Sequence, residues 1–397
     1  MPRAVVVLPS TTYRAGDFVN AAASLGLDLV VASEQPPPFD MGDNYLHIDC
    51  SDPEEAARQV ISLGDDVPLD GVVAADDSGV VVAALAGTAL GLAANPWEAA
   101  SATRNKWLMR QRLADGEVPQ PDFRLLTADD EPFTNIPYPV VIKPIDRSAS
   151  QGVIRVDEPD DLEMTLARIR SIIGDDQASL LVESYISGTE IAVEAVISNG
   201  ELTVLAIFDK PDTSDGPAFP ETIFVTPSRL ADSIQTEAIR VAEAGIQSLG
   251  LVHGPAHIEL RVHDGKPHII EIAARSIGGL CSRSLNFGLM GTSLETLILR
   301  NAIGMEKPEL KREPHASGVL MIPTPRSGRL TGFGGLDEVQ LADGITGFDL
   351  TIQPGSDVLA PPEGDRYLGF VYANADTPQL VETALRTAMS TVVVQIQ

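Results

Sequence analysis

Between residues 4 and 95 the chain alternates short apolar runs with segments of helical periodicity. The runs at 4–8, 27–32, 45–49 and 71–75 read as strands, and 16–25, 53–62 and 78–90 read as helices. Such alternation predicts a parallel α/β unit. The turn after the first run, Pro9-Ser10-Thr11-Thr12-Tyr13-Arg14-Ala15-Gly16, lacks the glycine spacing that lets a backbone approach a dinucleotide pyrophosphate, which disfavours a nicotinamide enzyme.

Asn95-Pro96 opens a new helix, read as one element over 99–113 that stops at Asp115-Gly116 before Val118-Pro119-Gln120-Pro121. The pattern then turns β-rich. Strands are expected at 140–143 and 152–156, a helix at 160–173, and a strand at 180–183 pairing with 190–197. This α+β unit is small enough to be a lid. After a strand at 203–208, the turn formers of 209–217 predict a mobile loop able to close over a substrate. A helix at 230–249 leads into a hairpin, and the chain ends in a β-rich segment with a helix at 378–389 and a strand at 391–396. The expected domains are 1–95, 96–305 with the lid at about 119–190, and 306–397.

The hairpin carries the chemistry. Ile258, Leu260 and Val262 alternate with His257, Glu259 and Arg261, and Ile270, Ile272 and Ala274 alternate with Glu271 and Arg275, so each strand has an apolar and a polar face. A three-residue loop, His263-Asp264-Gly265, places Glu271 opposite His257 and diagonal to Glu259, with both carboxylates on one face. A two-residue Asp264-Gly265 turn would separate them unless a bulge intervened. Two close carboxylates repel, and a hard divalent cation whose shell is completed by phosphate oxygens relieves that repulsion.

Composition narrows the partners. The 397 residues carry 56 acidic and 28 basic side chains, a net charge of −28, which argues against nucleic acid and anionic membranes. An anionic ligand therefore needs a local basic pocket. Cys50 and Cys281, the two cysteines, have neither zinc-site nor disulfide spacing, and Cys281 reads as a small packed thiol near the site. The apolar run after Met1 is too short for a signal peptide, and the stretch 79–94 is shorter than the roughly 20 residues that span a bilayer, so a cytoplasmic protein is expected.

Four features follow in order: Lys106, Lys143 in Val-Ile-Lys-Pro, Glu183 followed by Gly188-Thr189-Glu190, and the two-carboxylate hairpin. Lys143 precedes Arg147-Ser148-Ala149-Ser150-Gln151-Gly152, whose hydroxyls and backbone N–H groups suit phosphate. Singly, none is distinguishable from an ordinary surface charge; their order is the signal. It resembles the ATP-grasp superfamily over nearly the whole chain, and Glu271-Ile272-Ala273-Ala274-Arg275-Ser276-Ile277-Gly278-Gly279 is similar to the L-amino acid ligase, or dipeptide-forming, branch.

That resemblance implies an ATP-grasp fold with an N-terminal parallel α/β (Rossmann-like) domain, a small lid and a β-rich C-terminal domain. It implies that Lys106 and Lys143 bind ATP phosphates, with Ser148, Ser150 and Gly152 in the covering loop. Glu183, Ser184, Tyr185 and Ile186 would form the adenine hinge, and Glu190 would hold the ribose. Glu259 and Glu271 would hold Mg²⁺, with Mn²⁺ as a substitute, and Ala273 stands where many members have a metal-binding Asn. Arg275 and the backbone at Gly278 would stabilise the transferred phosphoryl group or the acyl-phosphate oxyanion. Among residues flanking this core, Glu221, Lys210, His257 and Ser276 are the candidates for contact with substrate.

The implied activity is an ATP-dependent carboxylate–amine ligase, with small-molecule carboxylate and amine partners and a homodimer left open. A bicarbonate-using carboxylase, an ATP-grasp kinase and a non-catalytic nucleotide-binding regulator are the alternatives.

Overall fold

The computed structural model describes residues 1–9, 12–36, 41–130, 135–212, 215–288, 291–305, 312 and 314–397; Ser10, Thr11 and the loop residues Thr213 and Ser214 lie outside these. The first apolar runs form strands Arg3–Val7, Asp28–Ser33, Tyr45–His47 and Gly71–Ala74, paired in parallel with Arg3–Val7 between Asp28–Ser33 and Gly71–Ala74. Ala4, Val5, Val6 and Val7 are all buried, because the connecting helices cover the sheet on both faces. The carboxyl ends of the first and fourth strands deliver Arg14 and the pair Asp76-Asp77 toward the rest of the molecule, the edge at which open α/β sheets place their ligands.

The helix expected over 99–113 is two helices, Trp97–Arg104 and Lys106–Asp115. Asn105 takes an extended conformation and its side chain accepts a hydrogen bond from Leu108 N at 3.1 Å, so it caps the second helix instead of continuing the first. The break puts Lys106 in the first helical position, where its own N–H donates to the Ile145 carbonyl at 2.7 Å.

A small antiparallel sheet follows, in the order Phe123–Leu126, Leu180–Ser184, Val140–Pro144, Ile154–Val156, packed on helix Leu162–Ile173. The expected pairing of 180–183 with 190–197 does not form. Leu180–Ser184 sits between Phe123–Leu126, a strand absent from the sequence reading, and Val140–Pro144. Thr189–Ser198 instead joins the large sheet, between Glu201–Lys210 and His253–His263. The chain crosses from one sheet to the other at Gly188, whose φ of 111° and close approach to the Val262 carbonyl leave no room for a side chain.

The large sheet has eight antiparallel strands in the order Lys266–Ala273, His253–His263, Thr189–Ser198, Glu201–Lys210, Ile223–Thr226, Ala316–Ile322, Gly369–Ala375, Ile345–Leu350. The C-terminal segment thus extends this sheet through Ile223↔Leu320 to Thr226↔Ser317, and helix Pro378–Thr391 covers the extension. Among the described residues no helix is long and apolar enough to cross a membrane.

A Cβ at residue 188 would lie 2.1 Å from the Val262 carbonyl oxygen. Gly188→Ala is expected to lower unfolding stability by about 2–4 kcal/mol through the combined clash and backbone strain, measured as a reduced urea midpoint.

Candidate active site

Asp264 and Gly265 both have positive φ, 48° and 74°, so the hairpin closes with a two-residue turn and not the three-residue loop. From His263↔Lys266 to Leu260↔Ile269 the register is regular; it then shifts, and Glu259 stands opposite Glu271. Ile270 is the extra residue. This bulge moves Glu271 to the face of Glu259, correcting the expected placement opposite His257, whose partner is Ala273. Ile270 itself lines the cavity beside the two carboxylates.

Lys106 meets this face from its helix start, its Nζ 2.9 Å from Glu271 Oε1 and 2.7 Å from the Arg147 carbonyl it donates to. One turn later on the same helix, Arg110 is 1% exposed. Its Nε donates to Glu183 Oε1 at 2.6 Å, and its NH2 donates to the bulged Ile270 carbonyl at 2.6 Å. The other Glu183 oxygen lies 2.6 Å from Lys143 Nζ. Burial alone would raise the Glu183 carboxyl, but Arg110 and Lys143 outweigh it and hold the group at about 2. Burial and the neighbouring Arg110 push the Lys143 ammonium below its ordinary range despite Glu183. Two cations share one carboxylate here, and the surplus positive charge faces the cavity.

A second cluster surrounds Lys210. Its ammonium pairs with Glu190, with Glu221 at 2.7 Å and with Glu259 at 3.7 Å, and Arg261 Nε donates to the other Glu190 oxygen at 2.9 Å. Glu190, Glu221 and Glu259 have oxygens that all lie within 4.8 Å of one another. Burial disfavours the Lys210 charge, yet the three carboxylates raise its pKa well above the usual value. His257 bridges Glu194, 3.0 Å from Nδ1, and Glu259, 3.5 Å from Nε2; burial opposes its charge, but the two carboxylates lift it to about 9. Glu194, 0% exposed, also accepts from Ile277 N at 3.1 Å, tying this histidine to the backbone ahead of Gly278.

Two connected cavities result. One, about 920 Å³ of open space, is lined by Lys106, Lys143, Ser148, Ser150, Glu183, Ser184, Tyr185, Ile186, Glu190, Lys210, Glu221, Glu259 and Glu271. The other, about 1510 Å³, shares Ser148, Ser150, Glu221, Glu259 and Glu271 and adds His257, Arg275 and Gly278. Arg275 Nε lies 3.0 Å from Asp77 Oδ2, so the N-terminal sheet holds it in place.

Three expected residues are placed differently. The Ser276 hydroxyl accepts from Arg14 NH1 at 2.8 Å and lines neither cavity, because Arg14, 1% exposed, uses it with the Ala75 and Ile277 carbonyls and Glu295 to join the two domains. The Gly152 N–H donates to the Pro362 carbonyl at 2.8 Å, so this amide is taken by the C-terminal segment and not offered to a phosphate. Lys210, expected among the substrate contacts, lines only the first cavity, at the centre of its carboxylates. Arg110, Asp77, Arg14 and Glu194 were not anticipated. Only Arg110 left a trace, four residues after Lys106 and so on the same helical face.

Residues 136–284 match the family described as ATP-grasp domain, 19–93 the ATP-grasp N-terminal domain, and 320–397 the L-amino acid ligase C-terminal domain 2. The L-arginine-specific L-amino acid ligase of Bacillus subtilis is 22% identical, over 84% of this chain and 82% of that protein. Human carnosine synthase 1 is 27% identical over 76% of this chain, which spans 40% of that longer protein. The crystal structure of an L-amino acid ligase from Bacillus licheniformis superposes with a TM-score of 0.83 at 25% identity, covering 100% of this chain and 99% of that one.

Glu183→Gln leaves Arg110 and Lys143 buried without their counter-charge, and a loss of about 3–5 kcal/mol is expected in chemical unfolding. Because the folded carboxyl is held at about 2, its stabilisation is complete above the ordinary carboxylate range and disappears as pH falls toward that value. Acid titration of the wild type should show this component, and the Gln variant should lack it.

Proposed function

The chain belongs to the ATP-grasp superfamily, in the branch that carries the L-amino acid ligase C-terminal domain, an ATP-dependent carbon–nitrogen ligase by that kinship; we propose that it joins the carboxylate of one amino acid to the amine of another through an acyl phosphate. The observation that carries this reading is the Glu259–Glu271 pair at the junction of the two cavities. A nucleotide in the first cavity and a carboxylate in the second would meet there.

The first step transfers the γ-phosphoryl group of ATP to a carboxylate oxygen, leaving ADP. The amine then attacks the acyl carbon, the bond from carbon to the phosphate oxygen breaks, and amide and inorganic phosphate form with loss of a proton from nitrogen. The obstacle is negative charge meeting negative charge. Lys106 and Lys143 neutralise the phosphates, and Ser148 and Ser150 close over them. Glu183 to Ile186 hold the adenine and Glu190 the ribose. Arg275, kept in place by Asp77, and the backbone at Gly278 stabilise the oxygen on which charge develops. Glu221, reaching both cavities, accepts the substrate ammonium, and His257 keeps Glu259 oriented.

Glu259 and Glu271 offer only carboxylate oxygens from one face of adjacent strands, a donor set suited to Mg²⁺, with Mn²⁺ able to replace it. The fit is marked by the ammonium groups that supply positive charge there now, Lys106 on Glu271 and Lys210 on Glu259. When bound, the ion supplies charge neutralisation for the phosphoryl oxygens. The Pro362 and Glu363 carbonyls hold the phosphate loop through Gly152 N and Gln151 Nε2, which shields an acyl phosphate from water. We place the protein in the cytoplasm.

A screen of paired amino acids for phosphate release, with mass spectrometry of the products, tests the reaction. An amide product with ADP and free phosphate supports it; dependence on bicarbonate would make the protein a carboxylase, and phosphate retained on the product a kinase. Glu271→Gln should lower turnover by about two orders of magnitude or more while far-UV dichroism shows a folded protein. Unchanged turnover would remove the hairpin from the mechanism.

A further inference from the structure

The wall of the second cavity supplied by the C-terminal domain contains Asp365, Arg366 and Tyr367, facing Tyr13 and Asp76 of the N-terminal domain. The other guanidinium groups of this cavity are engaged. Arg275 is on Asp77 at 3.0 Å, Arg104 donates to the Asp146 carbonyl at 3.4 Å, and Arg147 lies 4.0 Å from the Asp146 carboxylate. Among the described residues Arg366 has no carboxylate partner, in a chain where acidic side chains outnumber basic ones 56 to 28. Arg366 is itself exposed where it lines this cavity, and its charge opposes the rise that burial gives the Tyr13 phenol.

The chemistry of amide formation says what such a cation is for. At the moment of attack the incoming amino acid has an uncharged amine but still carries its α-carboxylate. That carboxylate must rest in a cavity whose walls include Asp76, Asp77, Asp365 and Glu221, each of which repels it. Arg275 is committed to Asp77 and to the reacting oxygen at the other end. We propose that Arg366 binds the α-carboxylate of the amine-donating amino acid, so that the C-terminal domain selects a free amino acid as the second substrate. This rests on the ligase reading above. The segment that carries Arg366 also holds the phosphate loop through Pro362 and Glu363, so occupying this position and covering the phosphates engage the same stretch of chain.

The test uses the full-length protein and two amine substrates, a free amino acid and its α-amide, which lacks the negative charge. Formation of amide product by the wild type is established first; if no amino-acid pair yields one, the ligase reading fails and this inference falls with it. Given product, Arg366→Gln should raise KM for the free amino acid about 10- to 100-fold, the loss expected for a charge-assisted contact. KM for the α-amide and for the carboxylate-donating substrate should stay within about two-fold, inside the scatter of ordinary surface substitutions. Arg366→Lys should recover part of the loss. Equal effects on free acid and amide, a shift in the carboxylate donor instead, or no change at all would each overturn the assignment.

Discussion

Two carboxylates opposed across one hairpin are costly unless positive charge lies between or beside them, and the site is organised around that repulsion. Glu259 and Glu271 share a face because of a single bulged residue, Ile270, whose carbonyl is itself held by Arg110. Lys106 answers Glu271 and Lys210 answers Glu259. Arg110 belongs to the same helix as Lys106 and passes on to Glu183, which holds Lys143. The geometry of one β-bulge is therefore linked through buried ion pairs to both Lys106 and Lys143, the two lysines proposed to bind phosphate.

Buried pairs of this kind do not add much net stability, since the attraction largely offsets the desolvation of each charge. Their value lies in position. A carboxylate shared by two cations fixes both ammonium and guanidinium groups while leaving a surplus charge for an anionic ligand. The same device recurs with Arg275 on Asp77 and His257 on Glu194, so that two more cavity-lining side chains are braced by carboxylates.

Three parts of the chain meet at the two cavities. The N-terminal sheet contributes Asp77 and, through Arg14, braces the stretch before Gly278; the small sheet contributes the loop 147–152 and Glu183; the C-terminal strands continue the large sheet and bring residues 361–367 over that loop.

What the sequence by itself determined is what depends on neighbours along the chain. Apolar runs, helical periodicity and turn residues located the parallel N-terminal unit, and the alternation around Glu259 and Glu271 exposed a polar face with two carboxylates. The order of Lys106, Lys143, Glu183 and the hairpin was enough to recognise the superfamily. What only the tertiary structure decided is what depends on pairing between distant segments. The turn length and the bulge that set the Glu271 register are a contest between local turn chemistry and burial of Ile269 and Ile272, which only the packed sheet resolves. The partner of Leu180–Ser184 was decided by the Gly188 crossing against Val262. Ser276 and Gly152 are spent on Arg14 and Pro362, residues more than 200 positions away in each case, and no local pattern announces such a claim on a hydroxyl or an amide.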